Sequence, residues 1–138
     1  RVVPIGAPPA EKTLAVADAL VAESRRLGLS LKVIGSTDLT HYGLNYGFMP
    51  HGSGPEALQW VTDENDKRFI NAVLAMDPKA VIREGVAHQN ACCAGAAASA
   101  LSAAKALGAR RAEALAYATS HDKHPGESFV GYVGIVFE

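Results

Sequence analysis

Apolar positions come in short runs in some stretches of the chain and at three- to four-residue spacing in others, and this contrast predicts the elements. Val2, Val3 and Ile5 form a short apolar run that reads as a strand, closed by the turn Gly6-Ala7-Pro8-Pro9. Residues 10–27 then carry helical spacing at Leu14, Ala17, Leu20, Val21 and Ser24. Glu11 near the start and Arg25-Arg26 near the end suit the helix dipole, and Gly28 supplies the stop. Leu29, Leu31, Val33 and Ile34 form a second run. Strand, helix and strand in such a short span predict a right-handed βαβ unit with parallel strands.

The second run leads into the polar stretch Gly35-Ser36-Thr37-Asp38-Leu39-Thr40-His41-Tyr42-Gly43, and residues 44–54 read as a loop beyond it. Pro55 opens a helical region with apolar residues at Leu58, Val61, Phe69, Ile70, Val73 and Leu74. Asp77-Pro78 starts a short helix reaching about Glu84. Residues 92–107 are almost all Ala, Gly or Ser, which predicts a helix packed closely on a sheet or another helix, ended by Gly108. Residues 112–119 and 128–137 read as a third and a fourth strand around a polar turn at 120–126. The expectation is one α/β domain over residues 1–138, a layered sandwich around a central, mostly parallel sheet.

Composition narrows the function classes. With 138 residues and 49% hydrophobic content, the chain has enough material for a core. Thirteen basic and 14 acidic residues give a net charge of -1, and no basic face is concentrated enough to suggest a nucleic-acid partner. No apolar run is long enough for a bilayer-spanning helix, so no membrane partner is expected. The chain opens on Arg1 and runs directly into an apolar strand, which reads as a fragment whose preceding half is missing or lies on a second chain. Cys92 and Cys93 are adjacent, a spacing unsuited to a stapling disulfide, and point to a reducing cytoplasm.

Candidate chemistry gathers where strands end, because ligands in open α/β sheets bind at those edges. Asp38 and His41 stand three apart after a predicted strand, so both side chains can share one pocket. A carboxylate beside an imidazole raises the ring's proton affinity and fixes its tautomer. The same spacing also serves a turn cap and a ring that satisfies the backbone. Cys93 lies at a predicted helix start, where the dipole favours a thiolate and hence a metal ligand, whereas Cys92 suits burial as a small apolar residue. His121 follows a strand end and is a candidate pocket residue, with His88 a weaker one; His51 and His124 read as solvated. Tyr42, Tyr46 and Phe48 could wall a flat substrate or simply pack on the core. The chain has no phosphate-binding glycine loop, nucleophile elbow, CxxC or HExxH.

Four segments carry a resemblance. Val-Ile-Gly-Ser-Thr-Asp-Leu-Thr-His-Tyr-Gly at 33–43 resembles the signature of the Memo family, whose prokaryotic members are also called AmmeMemoRadiSam system protein B. Asn-Ala-Cys-Cys-Ala-Gly at 90–95, Tyr-Ala-Thr-Ser at 117–120 and Ser-Phe-Val-Gly-Tyr at 128–132 resemble its later blocks, in order. The resemblance covers essentially the whole chain and implies the C-terminal half of a fold similar to class III extradiol ring-cleavage dioxygenases, the LigB-like fold.

That resemblance implies a non-haem iron or copper site with oxidoreductase-like chemistry on an unknown substrate. It assigns His41 as acid/base, Asp38 as its partner and Cys93 as a metal ligand, while Tyr42 and His121 are expected as substrate contacts from their own positions in the chain. The remaining ligands would come from the missing N-terminal half. It also implies radical-SAM and Ammecr1-like partners. The alternative is a non-catalytic signalling protein whose pocket recognises a peptide or small ligand.

Overall fold

A computed structural model describes residues 2–138. Its elements are α1 (Glu11–Arg26), β1 (His41–Tyr42), α2 (Pro55–Trp60), a π turn (Val61–Asn65), α3 (Asp66–Leu74), α4 (Pro78–His88), α5 (Ala94–Leu107), β2 (Ala112–Thr119) and β3 (Phe129–Phe137). Helix α1 ends where its glycine stands: Gly28 has φ +65, and its N–H donates to the Arg25 carbonyl. Helix α4 starts on Asp77, whose carboxylate accepts from the N–H groups of Lys79 and Ala80, and it runs to His88, past the expected end near Glu84.

The sheet corrects the sequence reading. Its order is β1-β3-β2 and both pairings are antiparallel; no parallel central sheet is seen among the described residues. Residues 120–128 between β2 and β3 are too few for the crossover that parallel strands require, so a hairpin is the available connection. The apolar runs at 2–5 and 29–34 form no ladder. Val2 is 95% exposed and Ile34 91%. Apolar patterning shows that a segment suits a strand, but a strand also needs a partner's backbone, and neither run has one here.

The main core joins Leu14 of α1, Leu39, Phe69 of α3, Val81 of α4, and Ala98 and Leu101 of α5. A second cluster centres on Tyr42 and Phe129, whose rings stack at 5.3 Å, with Ala57 and Val61 beneath. Helix α5 realises its small-residue composition by close approach. Gly85 of α4 abuts Ala94, and Ala17 and Val21 of α1 pack on Ala103. The backbone at Gly35 lies so near α5 that a Cβ there would stand 2.8 Å from both the Ala96 carbonyl and the Ala100 methyl. Where the region opened by Pro55 was expected to be plain helix, the π turn interrupts it and leaves the adjacent polar residues Asn65 and Asp66 both buried.

Candidate functional site

The segment 37–42 is held from both sides of the molecule. Leu39 N–H donates to the Gly131 carbonyl at 2.9 Å, and Gly131 N–H returns a bond to the Thr40 carbonyl at 3.1 Å. Leu39, Thr40 and Tyr42 are buried, while Asp38 and His41 keep partial access to solvent. This short segment, with buried neighbours, brings its two titratable groups together on one partly exposed side.

Beneath it lies a polar network. Thr40 donates both its N–H, at 3.0 Å, and its hydroxyl to Asp66 Oδ1. Tyr117 of β2 donates its phenol to Asp66 Oδ2 at 2.7 Å, and Asn65 Nδ2 donates to the Thr40 hydroxyl at 3.0 Å. Asn90 Nδ2 donates in turn to the Asn65 carbonyl. Burial pushes the Asp66 carboxyl above the usual range, and the bonds from Thr40 and Tyr117 pull partly the other way. Burial and the nearby Asp66 push the Tyr117 phenol up, so it stays protonated and donates.

The third strand of contact comes from the start of α5. Cys92 N–H donates to the Asp38 carbonyl at 3.2 Å, and Asp38 N–H reaches Cys92 Sγ at 3.3 Å. Thr37 Oγ1 accepts from Cys93 N–H at 3.0 Å and donates to the Asp38 carbonyl at 2.9 Å. The N-cap residue of α5, Cys93, has no capping side chain of its own, so Thr37 caps the helix from a distant segment. Thr37→Val is expected to lower unfolding stability by about 1 kcal/mol, with Thr37→Ser near wild type, measured by urea titration.

These contacts converge on one group. His41 Nε2 lies 3.2 Å from Asp38 Oδ2, and the ligand atoms of Asp38, His41 and Cys92 all fall within 4.8 Å of one another. Oxygen, nitrogen and sulfur donors so placed form a possible metal-binding group. Tyr46 flanks it, its ring 4.9 Å from that of His41. A cleft of about 300 Å³ opens beside the group, lined by Leu39, His41, Tyr46, Phe48, Gln89 and Cys92 among others.

The expected site residues fare differently. Asp38 and His41 do come together. The thiol that joins them is Cys92, not Cys93; the expectation that Cys92 is simply buried also gives way, since both cysteines are exposed. Cys93 was expected to favour the thiolate through the helix dipole, but its thiol is pushed up, first by its bond with Cys92, then by burial and by Cys92 and Asp38.

Tyr42, expected as a substrate contact, lies in the second core cluster. It is fully buried, with its hydroxyl donating to the Gly52 carbonyl. His121 accepts from Gly126 N–H through Nδ1 and stands edge-on to Phe129; it is a member neither of the donor group nor of the cleft lining. His88 pairs with Arg68 on the surface, and His51 stacks on Trp60.

Sequence reasoning passed over Thr37, Asn65 and Asp66. Asp66 did leave a signal: with Phe69 and Val73 it occupies positions i, i+3 and i+7, which puts a carboxylate on the apolar face of α3.

Comparison with known proteins assigns the family. The family model described as Memo-like protein matches residues 1–136. A MEMO1 family protein of Thermococcus kodakarensis is 35% identical over 136 residues, covering 91% of this chain and 47% of the relative. One from Pyrococcus furiosus is 33% identical over 140 residues, covering 99% and 48%. One from Methanopyrus kandleri is 35% identical over 125 residues, covering 88% and 39%. The chain thus spans about half the length of the first two relatives, and less of the third. No helix among the described residues is long and apolar enough to cross a membrane.

Proposed function

The chain belongs to the Memo-like family, and from that premise we propose that its Asp38–His41–Cys92 group holds a transition metal ion and serves oxidoreductase-like chemistry on a small substrate. The observation that carries this reading is the approach of three different ligand atoms to within 4.8 Å of one another. Hard and soft donors together suit Fe(II), Cu or Zn better than Mg or Ca. Three protein ligands leave a coordination position for water or substrate, as catalytic rather than closed structural sites do. A bound ion of this kind supplies Lewis acidity or, for iron and copper, one-electron chemistry.

The residues around the group have separable tasks. Asp38 and His41 share a hydrogen bond, so a proton held between Oδ2 and Nε2 is available whenever the pair is free of metal. Tyr46 shields one face of the His41 ring, and Phe48 and Leu39 give the cleft an apolar wall. At about 300 Å³, the cleft is at the small end of ligand sites and suits a substrate of about one ring. The polar network centred on Asp66 keeps Thr40, and with it the adjacent His41, in place. Radical-SAM and Ammecr1-like partners belong to the activity of the whole family protein and rest on the resemblance alone.

Metal analysis after loading with Fe(II), Cu(I) or Zn tests the reading. Because losing a group that merely orients a ligand costs about 10–100-fold in affinity, Cys92→Ser should cost at least that. Cys93→Ser should bind as wild type does. With cobalt as probe, the sulfur-to-metal charge-transfer band should vanish in C92S and persist in C93S. Equal metal content and equal spectra in all three proteins would remove the proposal, leaving a cleft that recognises a ligand without metal.

A further inference from the structure

Strand β3 is paired along one side for its whole length and along the other for only part of it. Gly131 turns both its N–H and its carbonyl toward the Leu39–Thr40 segment. Antiparallel alternation therefore turns the backbone groups of Val133, Ile135 and Phe137 to that same side. Beyond Gly131 no strand meets them. Residues 30–36 diverge instead and lie on α5, where Gly35 rests on Ala96 and Ala100. Among the described residues no backbone–backbone hydrogen bond reaches residues 30–36 or the free edge of Val133, Ile135 and Phe137.

Between these two edges lies a cleft of about 670 Å³. Phe69, Val73, Ala97 and Ala100 line its floor, with Val33 and Ile135 on its rims. Each rim offers about five residues, the length of an ordinary strand, whose backbone groups on this side have no backbone partner. An apolar floor between two sets of unsatisfied donors and acceptors matches a strand in both dimensions and chemistry.

We propose that this cleft seats a β-strand, apolar on the side facing α5, from the portion of the family's length that this chain does not span. The strand would bond to Val133, Ile135 and Phe137 on one edge and to residues 31–35 on the other. Length favours that occupant. The chain covers only 47% and 48% of the Thermococcus and Pyrococcus relatives, so a comparable stretch of polypeptide packs somewhere on the equivalent half. A second copy is less suited: its own Val2–Ile5 run is short, and Pro4 lacks a donor.

A chimera tests this. The portion of the Thermococcus relative that this chain does not match is fused to this chain in the relative's own order, and amide hydrogen exchange is compared with that of this chain alone. The amides of Val133, Ile135 and Phe137 should exchange at least about a hundredfold more slowly in a monomeric chimera. Four results would overturn the proposal. These are unchanged exchange at those amides, protection confined to the outward-facing amide of Tyr117, a dimer of this chain alone that already protects the cleft, and a chimera that yields no soluble monomer.

Discussion

Asp66→Ala is expected to lower unfolding stability by about 3 kcal/mol, because it strips the acceptor from several buried donors at once. The carboxylate is fully buried and takes the Thr40 N–H, the Thr40 hydroxyl and the Tyr117 phenol. Tyr117 is 38% exposed and can turn to water, so its share of the loss is small. Thr40 cannot, and its N–H is left unpaired in the core. Against a total stability of about 5–15 kcal/mol for a domain, this is a large fraction. Asp66→Asn keeps an acceptor for Thr40 and should cost only about 1 kcal/mol.

The same residue fixes a pH dependence. Burial raises the folded-state pKa of Asp66 above its unfolded value, so in the intervening range the folded protein binds more protons than the unfolded one. Its contribution is therefore fully present below the unfolded carboxylate pKa and lost as pH rises through the folded one. The advantage of wild type over D66N should be largest in acid and shrink toward neutrality. Urea titrations of both proteins at several pH values read this directly. A wild-type advantage that grew with pH would mean that the bonds from Thr40 and Tyr117 outweigh desolvation.

Why Asp66 escaped the sequence reading, while Asp38 and His41 did not, is a question of range. The Asp38–His41 pair is local in sequence: the two residues stand three apart on one short segment, and their side chains meet at 3.2 Å. Helix α1 and the β2 and β3 spans were legible for the same reason, since capping glycines and apolar period act within a few residues. Cys92 and Cys93 differ by one position, and which thiol faces the loop depends on how the chain enters α5. That entry is set by Thr37 and Asp38, more than fifty residues away in sequence. Parallel pairing failed at a longer range still. The runs at 2–5 and 29–34 have strand chemistry, but their hydrogen bonds need a neighbour that this half of the family's length does not supply.

Gly131→Ala should destabilise nearly as much as D66A, and for a connected reason. A Cβ at Gly131 would overlap the Asp66 Oδ2 carboxylate oxygen and stand 3.2 Å from the Leu39 Cβ. The carboxylate cannot swing aside, because Thr40 and Tyr117 hold both of its oxygens. Either those bonds break or β3 moves off the Leu39–Thr40 segment. Overpacking of this kind costs about 1–3 kcal/mol, and the upper end is expected here. Gly134→Ala on the same strand meets nothing within 4 Å and should be close to neutral.

The two positions must then be coupled. Once Asp66 is alanine, the obstacle to the new methyl is gone and only the Leu39 contact remains. The double variant D66A/G131A should fall short of the summed single losses by about 2 kcal/mol. Additive losses would mean that G131A acts through the backbone of β3 rather than through the carboxylate. Metal affinity gives a second reading of the same cycle. G131A displaces the segment that carries Asp38 and His41, and D66A releases Thr40 beside it, so each alone should weaken metal binding and the double variant should lose less than the two losses combined.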